Sequence, residues 1–142
     1  MHGQTYQAHP VACAAALEVQ RILKEDDLVA HGARQGEILE RLLVERFGNH
    51  RQVGDIRGRG LFWALEFVSD RAGRTPFEPS AGIADRVKQA ALDRGLGVYP
   101  SVGTADGVRG DHVIVAPPYI VPEPDLAEIV GRLGEAVDAV FA

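Results

Sequence analysis

Thr5, in the stretch HGQTYQAHPVACAAAL over residues 2–17, has surroundings suited to chemistry. Gly3 permits a sharp backbone path and Thr5 supplies a hydroxyl. The amides around Gln4 and Tyr6 lie just ahead of a helix start, a combination that can hold an anion such as a phosphate. Taken alone, a threonine in that place is more commonly a plain cap or turn residue. Two further arginine segments invite the same question. In IRGRGL, Arg57 and Arg59 can clasp a carboxylate through paired N–H bonds, with Glu66 on the following strand as a partner for one of them. The alternative there is a glycine-softened turn with solvated arginines. Arg109, in TADGVRGDHV, sits in a loop rich in turn residues, from which it can reach an anionic substrate or point into solvent. His2, His9, Cys13 and His112 match no standard metal-ligand spacing, and His9 reads as a turn residue at a helix entrance. The sequence has no P-loop, CxxC pair, HExxH or GxSxG, and Gly54, Gly58 and Gly60 miss the GxGxxG spacing, so a nucleotide site is not supported.

These residues need elements to hold them. Pro10 suits a first helical turn because its missing N–H would be unpaired there anyway, and residues 11–25 continue as a helix whose start is almost all small residues. A second helix is expected over 28–47, with Leu28, Gln35, Ile38, Leu39, Leu42, Leu43 and Phe47 forming its inner face and Gly48-Asn49 closing it. Arg34, Glu37, Glu40, Arg41 and Glu45 should face water. After GDIRGRG, the run LFWALEFV over 61–68 fits a strand by length and aromatic content, followed by a turn-rich excursion over 69–80. A third helix is expected over 81–94, with Ile83, Val87, Ala90 and Ala91 inward and Gly95 stopping it. Short strands over 97–100 and 112–116 flank a flexible loop over 101–110. A last helix after Pro124 has Leu126, Ile129, Val130, Leu133, Val137, Val140 and Phe141 on one face. The order predicts an α/β (α+β) fold with helices packed on a small sheet.

The 142 residues suffice for one domain with its own core, and 46% apolar with 25% charged residues reads as globular. A net charge of -5 with interspersed Lys and Arg offers no basic stripe, which argues against a nucleic-acid partner. Cys13 is the single cysteine, so no internal disulfide can form; its place among alanines predicts a buried small hydrophobe and a reducing, cytoplasmic setting. No apolar run approaches membrane-spanning length, and no signal-like segment is visible. The chain begins inside what reads as a functional loop, which is expected of a piece of something larger.

Three ordered segments resemble the C-terminal part of class III, pyridoxal-phosphate-dependent aminotransferases of fold type I. HGQTYQAHPVACAAAL is similar to the family's HGxTYxGHPxxxAAAL, with Ala8 where glycine is frequent; GDIRGRGLFWALEFV is similar to (V/I)RGxGLxxxxE; GDHVIVAPPYIV is similar to GDHxxxxPPLxI. The resemblance covers nearly the whole chain. It implies the small C-terminal domain of that fold over residues 1–142, preceded by an interface loop and helix, with the large cofactor-binding domain absent. It also implies a homodimer in which the Thr5 hydroxyl and the Gln4 backbone hold the phosphate of the pyridoxal 5'-phosphate bound by the other subunit.

The reaction implied is transfer of an amino group from an amine or amino acid to a keto acid, with the cofactor as electron sink. It requires a Schiff-base lysine and an acid beside the pyridine nitrogen, both of which the family carries in the large domain. The lysines here are Lys24 and Lys88, in settings that suit neither role, so no catalytic residue is assigned to this chain and it is expected to be inactive alone. In ornithine and acetylornithine aminotransferases the strand before the proline pair carries an arginine for the substrate α-carboxylate; here that place holds Val115, or Ile114 on a slipped register. GDHVIVAPP instead resembles the ω-amine and β-alanine:pyruvate branch, in which a loop arginine just upstream binds a carboxylate or swings aside, and Arg109 is the nearest candidate for substrate binding. Two other readings remain: a non-catalytic interaction domain derived from the family, or a family aminomutase, decarboxylase or racemase. In each case the face made by the small helix start and the Trp63 strand region is expected to pack on a large domain or second subunit, so the isolated chain should self-associate.

Overall fold

A computed structural model describes residues 7–142 of the chain. Gln4 and Thr5 lie outside the described residues. Helix α1 (Pro10–Glu25) and helix α2 (Leu28–Phe47) are followed by the hairpin of β1 (Val53–Arg59) and β2 (Phe62–Asp70). A two-residue strand β3 (Thr75–Pro76) pairs with the end of β2, and a 3-10 turn leads into α3 (Ile83–Leu92). Strands β4 (Tyr99–Ser101) and β5 (Asp111–Val115) and helix α4 (Glu123–Phe141) complete the chain. The sheet order is β1-β2-β5-β4, and every pairing is antiparallel.

Period-two alternation divides this sheet into two unlike faces. Trp63, Leu65 and Phe67 of β2 and Val113 and Val115 of β5 are buried, and they join Leu39, Leu43 and Phe47 of α2, Val87 and Ala91 of α3, and Leu126, Val130, Leu133 and Val137 of α4 in one core. Three helices therefore cover one side of the sheet. Leu39, Leu43, Leu126 and Leu133 are each fully buried, so truncating any one to alanine costs about 2–5 kcal/mol. The five charged residues expected on the wet side of α2 are all exposed.

Four local features differ from the sequence expectation. GDIRGR is a strand, not a softened turn, because its backbone pairs with β2 from Asp55 opposite Glu66 to Arg59 opposite Phe62. Helix α3 begins at Ile83, two residues later than expected, because Gly82 takes a left-handed φ of 56° and the three residues before it form the 3-10 turn. Helix α1 buries none of its residues against the rest of the described chain, so Cys13 is exposed and Leu17 is 71% exposed. Trp63 faces inward at 6% exposure, its Nε1–H donating to the Gly60 carbonyl at 2.7 Å, so the apolar surface left open by β2 centres on Phe62 instead.

Candidate functional site

The sheet face that no helix covers among the described residues gathers the polar residues singled out in the sequence. Cross-strand pairing sets Arg57 beside Ala64, Glu66 beside His112, and Ile114 between Ala64 and Tyr99. A cavity of about 350 Å³ lies on this face, lined by Arg57, Gly58, Phe62, Ala64, His112 and Ile114. Its walls are mainly apolar, with one guanidinium and one imidazole at the edge. His112 is 9% exposed and its Nδ1 has no hydrogen-bond partner.

Arg57 and Glu66 meet as the sequence suggested. The Arg57 Nη1 donates to Asp55 at 2.7 Å and also to Glu66. The Asp55 hydrogen bond is the main reason the Arg57 guanidinium holds its proton more tightly than usual; burial opposes this and Glu66 adds to it. Arg57 is thereby committed to two carboxylates of its own chain. Arg59 is exposed at the end of β1 and lines a separate groove of about 540 Å³ with Val29, Gly32, Phe62, Pro117 and Tyr119.

Arg109 sits in a closed loop between β4 and β5. Asp106 accepts the backbone N–H groups of Val108 at 3.0 Å and Arg109 at 2.7 Å, and its other oxygen accepts Nε–H of Arg109 at 2.7 Å. Glu78 lies 3.8 Å from the same guanidinium. The bonds from Arg109, backbone first and then side chain, together with Val108, hold the Asp106 carboxyl down at about 2. A carboxyl depressed in this way contributes to loop order above its ordinary value of about 3.9 and loses that contribution as pH falls through its folded value. The loop should therefore stay closed at pH 3.5 and open towards pH 2, read from the Arg109 amide resonance in an acid titration. If that resonance shifts instead near pH 4, the turn does not hold Asp106.

Two long-range contacts, one on each side of the sheet, were not legible in the sequence. Asp111, 4% exposed at the start of β5, accepts the Ala84 N–H at 2.9 Å and so caps α3 from another element. Thr104 donates its hydroxyl to Glu66 Oε1 at 2.9 Å. The only signal for Asp111 was its place in GDH. Val115 packs into the core at 4% exposure, whereas Ile114 lies on the open face. Lys24 is exposed in the last turn of α1 and Lys88 is half-buried on α3, both away from that face. Among the described residues, no group of three or more His, Cys, Asp or Glu could hold a metal ion, and no helix is long and apolar enough to cross a membrane.

The family model for class-III aminotransferases matches residues 1–137. The chain belongs to the class-III aminotransferase family. Similarity to an aminotransferase of Gibberella zeae is 52% identity over 137 residues, covering 96% of this chain and 27% of that protein. An uncharacterized aminotransferase of Schizosaccharomyces pombe is 46% identical, over 97% of this chain and 30% of its own length. Among solved structures, a thermostable (S)-enantioselective omega-transaminase from Thermomicrobium roseum superposes with a TM-score of 0.87 at 30% identity, over 100% of this chain and 30% of that one. This class-III aminotransferase chain thus spans under a third of the length of the relatives it matches, and its helix-on-sheet arrangement is part of the transaminase fold type I.

Proposed function

We propose that this chain is the C-terminal part of a pyridoxal-phosphate-dependent transaminase, completed by polypeptide that carries the Schiff-base lysine and the acid beside the pyridine nitrogen. The observation that carries the reading is the class-III match over residues 1–137 by a chain that covers 27% to 30% of its relatives. In this reading residues 1–142 form one domain, which is inactive alone and acts in a homodimer or against the missing large domain.

The donor groups suit the phosphate end of the cofactor. Gln4 and Thr5 offer a backbone amide and a hydroxyl, which match phosphate oxygens, while the chain's two lysines lie on α1 and α3, away from the open face. When bound, pyridoxal phosphate supplies the electron sink for moving an amino group from an amine or amino acid to a keto acid. This chain's part is to bind and orient: the Thr5 hydroxyl and Gln4 amide hold the phosphate, and Arg109 meets a substrate carboxylate. Ile114 supports the ω-amine reading, because it puts an aliphatic side chain and not an arginine on the open side of the strand before Pro117.

In the assembled protein, Thr5→Val should weaken pyridoxal phosphate binding by about tenfold, the worth of one hydrogen bond to a charged acceptor, as measured by equilibrium dialysis. Thr5→Ser should bind as the parent does. Unchanged affinity in Thr5→Val would remove Thr5 from the site.

A further inference from the structure

We propose that Glu66 is a positioning residue for the Arg109 loop, which it holds closed on the sheet through Thr104. The loop over residues 102–110 is an internally bonded unit. The Ala105 N–H donates to the Arg109 carbonyl at 3.0 Å, the Gly107 N–H to the Gly103 carbonyl at 3.0 Å, and Asp106 gathers the Val108 and Arg109 amides. Such a unit moves as a body, so its orientation depends on how it is fastened to the sheet. One fastening is at its base: Gly110 has a φ of 107°, and a Cβ there would stand 2.8 Å from the Ala105 nitrogen, so only glycine lets the loop close on its own root. The other is Glu66.

The Glu66 carboxylate is divided between two elements. One oxygen accepts the Arg57 guanidinium of the neighbouring strand β1, which fixes the carboxylate in the middle of the open face. The other accepts the Thr104 hydroxyl at 2.9 Å, and that hydroxyl also lies 3.2 Å from the Gly110 carbonyl at the base of the loop. The Glu66 side chain is 20% exposed and Thr104 lies at the loop surface, so the bond between them draws its strength from the carboxylate's charge. Among the described residues, the Arg109 guanidinium pairs with Asp106, which moves with the loop, and with Glu78, outside it, at 3.8 Å. The direction in which Arg109 presents its guanidinium is set by Gly110, by the Glu66–Thr104 contact and by the longer Glu78 pair. Glu66 falls on the final position of RGRGLFWALE, and the contact links that strand to Thr104, the first residue of TADGVRGDHV. The latch stands on the loop geometry alone; the consequence for substrate rests on the transaminase reading of Arg109.

Trypsin reads the latch directly, because it cuts after Arg109 only when the loop opens. Thr104→Val removes the hydroxyl's bonds to both Glu66 and the Gly110 carbonyl, and it should speed cleavage between Arg109 and Gly110 on the order of tenfold. Thr104→Ser should restore the parent rate, and Glu66→Ala, which leaves the Thr104–Gly110 contact in place, should speed cleavage severalfold by itself. Cleavage after Arg41, in the middle of α2, reports whole-chain unfolding and should not change in Thr104→Val. An unchanged Arg109 cut in Thr104→Val or in Glu66→Ala, or one that rises only in step with the Arg41 cut, would overturn the latch. In the complete, cofactor-loaded protein, Thr104→Val should raise KM for amino donors that carry a carboxylate, with kcat and the KM of uncharged amines unchanged. A freed loop with no KM change would leave the latch standing and remove Arg109 from the substrate site.

Discussion

Gly36→Ala should destabilise the fold by about 3 kcal/mol or more, although the same change at Gly131 should stabilise it by about 0.5–1 kcal/mol. Both glycines are inside helices, where alanine is the better helix former, so propensity alone predicts two gains. The difference is in what a methyl group would meet. At Gly131, on the exposed side of α4, there is nothing within 4 Å. At Gly36, buried on α2, a Cβ would stand 2.5 Å from both the Cα and the carbonyl oxygen of Gly60 in the β1–β2 turn. That turn has little freedom to yield: Gly60 holds a φ of 57° and its carbonyl accepts the Trp63 indole. Helix α2 must lift from the hairpin, which loosens the core around Leu39 and Trp63. Urea unfolding of the two variants checks this. A Gly36→Ala midpoint at or above that of the parent would mean that the helix does not rest on the turn.

Asp111→Ala should cost about 2–3 kcal/mol, and Asp111→Asn about 1 kcal/mol. Helix α3 starts on Gly82, which has no side chain to cap it, and the Ala84 N–H is buried, with Ala84 2% exposed. The Asp111 carboxylate is the acceptor for that amide, and its charge also suits the positive end of the helix. Alanine leaves a buried N–H without a partner, the larger share of the cost. Asparagine keeps an acceptor and loses only the charge. The order alanine worse than asparagine, measured by denaturant midpoint, is the signature of a cap; equal losses would show that Asp111 matters only for packing.

What the sequence makes visible follows from the range of the physics involved. Helices α2 and α4 announce themselves because Leu39, Leu43, Leu133 and Val137 recur at the helical period and are the residues that reach the core. β1 does not, since Gly54, Gly58 and the two arginines lack the β-branched and aromatic content that marks a strand; it is a strand because β2 lies beside it. At α1 one residue misleads. Cys13 among alanines reads as buried, but the described chain leaves it exposed, on a helix whose small-residue start is expected to pack on a large domain or second subunit. At the site, the Arg57–Glu66 pair spans one hairpin and could be foreseen from spacing, whereas Thr104 lies 38 residues from Glu66 and Asp111 lies 27 from Ala84. No local pattern carries contacts of that length. The arginine-for-carboxylate question was posed by sequence as Val115 or Ile114, and the alternation of β5 separates them, burying the first and turning the second to the open face.

In the proposed transaminase, this chain contributes binding groups and the Schiff-base lysine lies outside residues 1–142. The most direct measurement is amine-dependent conversion of a keto acid to its amino acid, with pyridoxal phosphate present, by this chain alone, by the lysine-bearing portion alone, and by the two co-expressed. Conversion only in the co-expressed sample is the result predicted. Turnover by this chain alone, or a co-expressed pair that binds pyridoxal phosphate no better than the lysine-bearing portion and converts nothing, would contradict it.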